Sequence, residues 1–192
     1  MNKKYNFDTR LDLARSILPK NSIGCEIGVG GGDFSLVLYK ETNPLHLYLI
    51  DRWAVMKDLD PSVYGWKCKH SQKDYDDFYL ETQNKFKHYN NVTIIRKSSQ
   101  EALNQFSDHY FDYIYIDASH DYESVKKDLE LAKNKIKSTG FICGHDYNKN
   151  YNKGKKQEYG VIKAVDEFVD KYSLYIDITN KDTKGKSYVI YK

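Results

Sequence analysis

Glu26-Ile27-Gly28-Val29-Gly30-Gly31-Gly32 follows the apolar run Ile23-Gly24-Cys25, and Asp33-Phe34-Ser35-Leu36 comes directly after it. This order predicts a buried strand over 22–27, a glycine turn, and a helix over 32–40. Glycines in such a turn let the backbone approach a nucleotide-like ligand with no Cβ in the way. The spacing then selects among ligands. A dinucleotide fingerprint needs its third glycine where Asp33 stands, and an acid there would lie close to a diphosphate. Glu26-x-Gly28-x-Gly30-x-Gly32 instead sets an acid at the strand end and glycines in the turn. That pattern suits a ligand with a positive centre and no phosphate.

Outward from this turn, strand and helix patterns alternate. An amphipathic helix over 8–18, capped by Asp8 or Thr9, precedes it. After it come a strand over 45–50 ending at Asp51, a helix over 72–87, a strand over 92–96 and a helix over 99–106, with Ser99 a candidate N-cap. A strand over 111–116 ends at Asp117, and a helix follows over 121–136. A strand over 139–143 ends in Gly144-His145-Asp146, a helix covers 160–171, and 174–178 pairs with 188–191 as a terminal hairpin. Tyr113 and Tyr115 alternate with Ile114 and Ile116, as sheet-packing residues do. Alternation of this kind predicts an α/β fold: a doubly wound, mostly parallel sheet with helices on both faces and one antiparallel strand near the edge. Ligands of such sheets bind beyond the carboxyl ends of the strands. Glu26 to Gly32, Asp51, Ser98-Ser99-Gln100, Asp117 to His120 and His145-Asp146 all fall there.

Bulk properties narrow the function classes. The 192 residues suit one domain, 1–192, with a sizeable core. Thirty Lys and Arg against 27 Asp and Glu give a formal net charge of +3, which argues against a nucleic-acid partner. The one lysine cluster, Lys153-Gly154-Lys155-Lys156, reads as a solvated loop. Three cysteines without a CxxC argue against a zinc site or disulfide framework, and Cys25 and Cys143 read as buried thiols. No signal peptide and no membrane-spanning stretch is apparent, so a cytoplasmic protein is expected, with a homodimer allowed.

S-adenosylmethionine (SAM) is a ligand of the required kind, with a sulfonium, an amino acid tail and an adenosine. With these segments together, the chain resembles class I SAM-dependent methyltransferases, and more closely methyltransferase family 24. The resemblance runs from about residue 20 to the end. It is carried by Glu26–Gly32, by Leu49-Ile50-Asp51-Arg52-Trp53, by residues 111–122 with their Asp117-Ala-Ser-His120-Asp-Tyr122, by residues 140–147 with their Gly144-His145-Asp146-Tyr147, and by residues 160–168. It implies a Rossmann-like, seven-stranded sheet. It also implies roles. Glu26 would orient the glycine turn and accept from the methionine ammonium, while Gly28, Gly30 and Gly32 would face the SAM tail. Asp51 would accept from both ribose hydroxyls. Arg52 and Trp53 would border adenine, although Trp53 reads equally as core. Ser99 and Gln100 would touch adenine, and Asp117 would stand near the transferring methyl.

An acceptor hydroxyl must be aligned and must lose its proton. Two devices stay open. In one, Asp117 and Asp146 share a divalent cation such as Mg²⁺. Related enzymes carry a further Asp or Asn directly after the second acid, where this chain has Tyr147, with Asn148 one later. In the other, His120 or His145 acts as general base without metal. Residues 54–70 and 147–157 are the expected substrate loops. Their Tyr64, Trp66, Tyr147 and Tyr151, with neighbouring Tyr159, would stack on a sugar or aryl ring. The resemblance implies a small-molecule or carbohydrate acceptor, although any one of these aromatics reads equally as packing its loop to the body. A nicotinamide-dependent oxidoreductase, a non-catalytic SAM- or nucleotide-binding domain, and an RNA methyltransferase are the alternatives.

Overall fold

The structure, a computed structural model, describes residues 4–55, 71–148, 160–182 and 185–192. The chain runs α1 (Arg10–Ser16), β1 (Ile23–Ile27), α2 (Asp33–Thr42), β2 (His46–Asp51), α3 (Gln72–Phe86), β3 (Val92–Arg96), α4 (Ser99–Leu103), β4 (Phe111–Ile116), α5 (Tyr122–Lys135), β5 (Ile136–Gly144), α6 (Val161–Tyr172), β6 (Tyr175–Ile178) and β7 (Tyr188–Tyr191). The strands form one seven-stranded sheet in the order β3-β2-β1-β4-β5-β7-β6. Parallel pairing joins β1 to β2 and β4, β2 to β3, and β4 to β5. β7 is antiparallel to both β5 and β6, which makes it the one reversed strand, second from the edge.

The period-two alternation of strands builds two cores. Cys25, Ile114, Ile142 and Ile190 are register partners along one row and face the α4–α5–α6 side. The next row, with Tyr115, Cys143 and Val189, faces the α1–α2–α3 side. Glu26 is the register partner of Tyr115 and so enters this second layer, 1% exposed among apolar neighbours. Tyr113 and Tyr115 are fully buried, as are the thiols of Cys25 and Cys143.

Local differences from the sequence expectation have physical causes. Thr9 caps α1, closing a capping box with Asp12. Ser98, not Ser99, caps α4, because its hydroxyl accepts from the Glu101 amide and Glu101 returns the bond. α4 ends at Leu103 rather than near 106, and β5 starts at Ile136 rather than 139. The register between β4 and β5 jumps from Phe111↔Ile136 to Tyr113↔Phe141, so the extra residues bulge out of the pairing. The Lys153–Lys156 cluster, Cys68, Tyr64, Trp66, Tyr151 and Tyr159 lie outside the described residues, as do 56–70 and 149–157 of the two expected substrate loops. Among the described residues, no helix is long and apolar enough to cross a membrane.

Candidate active site

The sheet order puts β1 beside β4, the point at which the strand order reverses and a crevice opens. The two strand ends lock together there: the Asp117 amide donates to the Ile27 carbonyl at 2.7 Å. Gly28 follows with φ 88°, and a Cβ on it would come within 2.1 Å of the Asp117 carbonyl oxygen. Glycine is required at this position because two strand ends pass through it. A cavity of about 560 Å³ lies above, within the size range of small-molecule sites.

The glycine turn is held from both sides. Asp51, at the tip of β2, accepts from the Val29 and Gly30 amides at 2.8 and 3.0 Å through Oδ2, and from the Trp53 amide at 2.8 Å through Oδ1. The Gly30 carbonyl accepts from the Trp53 indole at 2.8 Å and from the Thr82 hydroxyl at 3.0 Å. Lys85 Nζ donates to the Gly31 carbonyl at 2.6 Å and pairs with Asp33 at the same distance. The turn-orienting role expected of Glu26 therefore belongs to Asp51. Glu26 instead accepts from the Ser35 hydroxyl. Burial pushes its carboxyl up to about 8, against the pull of that bond and with Asp117 adding to the rise. Trp53 is both buried, at 1% exposure, and part of the cavity wall. Gly32 does not line the cavity; it is the N-cap of α2, and a Cβ on it would meet Thr82 and Phe86.

Farther along the cavity stand Arg52, Ser99 and Gln100, together with an acid that sequence reasoning missed. Asp128, on α5, is 5% exposed and accepts from the Ser99 hydroxyl at 2.5 Å. Burial pushes it up to about 6. Its signal was in the sequence: Val125, Asp128, Leu129 and Ala132 share one buried helix stripe, and an acid in such a stripe is the informative exception.

At the tips of β4 and β5, Asp117, His120 and Asp146 come together, with one candidate ligand atom from each lying within 4.8 Å of the others. His120 Nε2 is 3.0 Å from Asp146 Oδ2 and 3.8 Å from Asp117 Oδ1. His145 Nδ1 adds contacts of 3.2 Å to Asp146 and 4.0 Å to Asp117. Asp146 reaches inward from a left-handed backbone, φ 57°, which a short acidic side chain tolerates better than most. Burial disfavours charge on His120, but the two acids outweigh it and push the ring up to about 9. His145 is raised for the same reason, and the two imidazoles in turn hold Asp146 well below the usual carboxylate range despite its burial. Tyr147 takes no part: its hydroxyl donates to Asp166 on α6 at 2.5 Å, and neither it nor Asn148 lines the cavity.

A second residue missed from sequence is Arg10, the first residue of α1. Its guanidinium stacks 4.5 Å from the centre of the Phe34 ring and lines the Glu26–Asp117 end of the cavity.

A family model described as a methyltransferase domain, family 24, matches residues 25–147. The chain belongs to that family. Its match takes in the glycine turn, Asp51, Asp117, His120 and Asp146. No curated protein is detectably similar in sequence. Among solved structures, precorrin-6y C5,15-methyltransferase from Geobacter metallireducens GS-15 superposes with a TM-score of 0.62 at 17% identity, over 94% of this chain and 85% of its own. A SAM-dependent methyltransferase from Aquifex aeolicus gives 0.59 at 16% identity, over 91% and 85%. Spermidine synthase from Thermotoga maritima gives 0.60 at 14% identity, over 95% of this chain and 57% of its own. At such identities the likeness establishes the fold. This methyltransferase thus has the class I SAM-dependent architecture, and the fold family implies SAM as cofactor. The lining agrees: a buried acid, a glycine turn and strand-end carboxylates lie in one cavity, and carboxylates favour a cationic ligand.

Proposed function

We propose that this methyltransferase transfers a methyl group to a hydroxyl oxygen of a small-molecule or carbohydrate acceptor. The observation that supports it best is the convergence of Asp117, His120 and Asp146 in the same cavity as Glu26 and the glycine turn. Glu26 would accept from the ammonium of the cofactor, and the turn would bring backbone against its tail. Bound SAM would supply the methyl group on a positively charged sulfur. Ser99, held by Asp128, and Gln100 would meet the adenine, with Arg52 at its edge. Asp51 keeps acceptor capacity toward ribose beyond its three amide bonds, since a carboxylate has about four lone-pair sites.

Asp117, His120 and Asp146 would align the acceptor and manage its proton. Two carboxylates and an imidazole suit a divalent cation, and a cation bound there would lower the acceptor hydroxyl pKa. Among the described residues the group is Asp117, His120 and Asp146, with Tyr147 turned to Asp166, so His120 would be the third donor. A second reading, without metal, rests on the 3.2 Å contact from Asp146 to His145, which orients that ring as a general base.

Calorimetric titration of SAM and its demethylated product, with NAD as control, tests the cofactor. Transfer of labelled methyl to a panel of sugars, phenols and hydroxy acids, with EDTA and with Mg²⁺ or Mn²⁺ added back, tests the rest. Loss of transfer under EDTA, restored by cation, supports the cation reading. An EDTA-insensitive rate abolished by His145→Gln supports the second. Binding of NAD alone overturns both.

A further inference from the structure

We infer that Arg10 is the receptor for the carboxylate of the cofactor's amino acid tail, an assignment that rests on the SAM reading above. Asp117, and Glu26 once an ammonium beside it favours its charged form, put two carboxylates at one end of the cavity. That end suits the ammonium and the sulfonium of the tail, but it repels the tail's own carboxylate, so a cation is needed beside it. Arg10 is placed to be that cation. Its field acts on Glu26 and His145 alike, which locates it over this end, whereas Arg52 acts on Glu101 and Asp128 at the other.

The geometry leaves the guanidinium suited to a ligand. Among the described residues its nearest carboxylate oxygen, Asp117 Oδ2, is 3.7 Å away, beyond hydrogen-bond distance, and the side chain is 42% exposed. A guanidinium has five N–H donors in a planar fork that matches a carboxylate. The same ring that carries Arg10, Phe34, belongs to the first turn of α2, whose N-cap is glycine and supplies no side-chain bond. Helix N-terminus and guanidinium are both positive, and setting them together favours an anion between them.

The position is also rigid, as recognition requires. The Arg10 amide donates to Asp182 at 3.0 Å, Asn180 and Lys181 amides donate to the Phe7 and Asp8 carbonyls at 3.1 and 2.9 Å, and Lys181 pairs with Asp8 at 2.6 Å. The segment after β6 thereby clamps the start of α1 over the cavity. None of these bonds uses the Arg10 side chain, so its replacement leaves the clamp in place.

The test compares SAM with its decarboxylated analogue, which keeps sulfonium and ammonium, by calorimetry on wild type, Arg10→Ala and Arg10→Lys. We expect Arg10→Ala to weaken SAM by ~10–100-fold, the range for hydrogen bonds to a charged group, and the analogue by less than ~3-fold. Arg10→Lys should keep charge without the fork and fall between. Retained binding of the analogue shows that the variants are folded. Equal weakening of both ligands, or no weakening of SAM, overturns the assignment. If SAM affinity is unchanged while transfer to carboxylate-bearing acceptors alone is lost, the carboxylate belongs to the acceptor and the cofactor assignment is likewise overturned. A wild type that binds neither ligand overturns the SAM reading itself, a result distinct from these.

Discussion

The two ends of β1 and β4 carry opposite kinds of structure within one cavity. The glycine turn is a satisfied object: Asp51 accepts three amides, and Trp53, Thr82 and Lys85 cover the turn carbonyls. The Asp117–His120–Asp146 cluster is held by charge. It packs two acids and two imidazoles at 3.0–4.0 Å, one of the acids on a left-handed backbone. The turn is built to keep its shape whatever binds. In the proposed reaction the cluster would exchange protons or take a cation. Shape at one end and reactivity at the other are what transfer from a fixed donor to a variable acceptor requires.

The largest effect that would separate the two ends comes from Asp117→Asn. It removes a charge from the cluster and leaves every bond of the turn in place. Labelled-methyl transfer should fall by ~10²–10⁴-fold, the scale of a lost proton-handling group, while SAM affinity shifts by only a few-fold. A matched loss of SAM affinity would mean that the ends are not separable. Asp51→Ala is the converse. It leaves the Val29, Gly30 and Trp53 amides without their acceptor. Calorimetry should show SAM binding weakened by ~100-fold. Unchanged affinity would show that the turn holds its shape without Asp51.

How these regions could be seen beforehand differs in the same way. Strand ends carry their signal locally, so Glu26, Asp51, Asp117 and Asp146 were legible as acids closing apolar runs, and the sheet followed from the alternation. Asp51's bonds to the turn were not legible, because they depend on β2 lying beside β1 in register, Glu26↔Leu49 and Ile27↔Ile50. Arg10 was invisible for a longer-range reason. Its helix is brought over the cavity by residues 180–182, some 170 positions away. Asp128 was legible in principle, as a charge in the Val125–Leu129–Ala132 stripe. Gly32 looks like the other three glycines of its seven-residue run in sequence, while in the fold Gly28, Gly30 and Gly31 line the cavity and Gly32 does not.

A smaller effect sharpens the comparison at Glu26. In the folded chain its carboxyl is raised from the ordinary 4.5 to about 8, chiefly by burial. The folded state thus binds the proton more tightly than the unfolded state. The stability linked to this proton is present below pH 4.5 and is lost as pH rises through 8. An ammonium placed beside Glu26 favours the charged carboxylate instead. SAM binding at pH 7 should therefore release up to about one proton, measured as the dependence of calorimetric enthalpy on buffer ionisation heat. Glu26→Gln should abolish that release. A release that persists in the variant would assign the proton to the cluster.

The smallest effect separates the cluster's two partners in the absence of cation. His120 is raised from 6.5 to about 9, with Asp117 and Asp146 outweighing its burial, so it too binds its proton more tightly when folded. The sign is that of a histidine gaining acids: its contribution is fully present below pH 6.5 and is lost as pH rises through 9. With EDTA present, the melting temperature of wild type should decline across that window, and His120→Gln should flatten the decline. Glu26 acts over an earlier window, from 4.5 to 8, so the decline remaining above pH 8 in a Glu26→Gln background isolates His120. Adding Mg²⁺ or Mn²⁺ supplies the decisive contrast. A cation held by Asp117, His120 and Asp146 replaces the His120 proton, so its stabilisation should grow as pH rises. Cation stabilisation that is flat in pH would leave His120 outside the ligand set and return the acceptor's proton to His145.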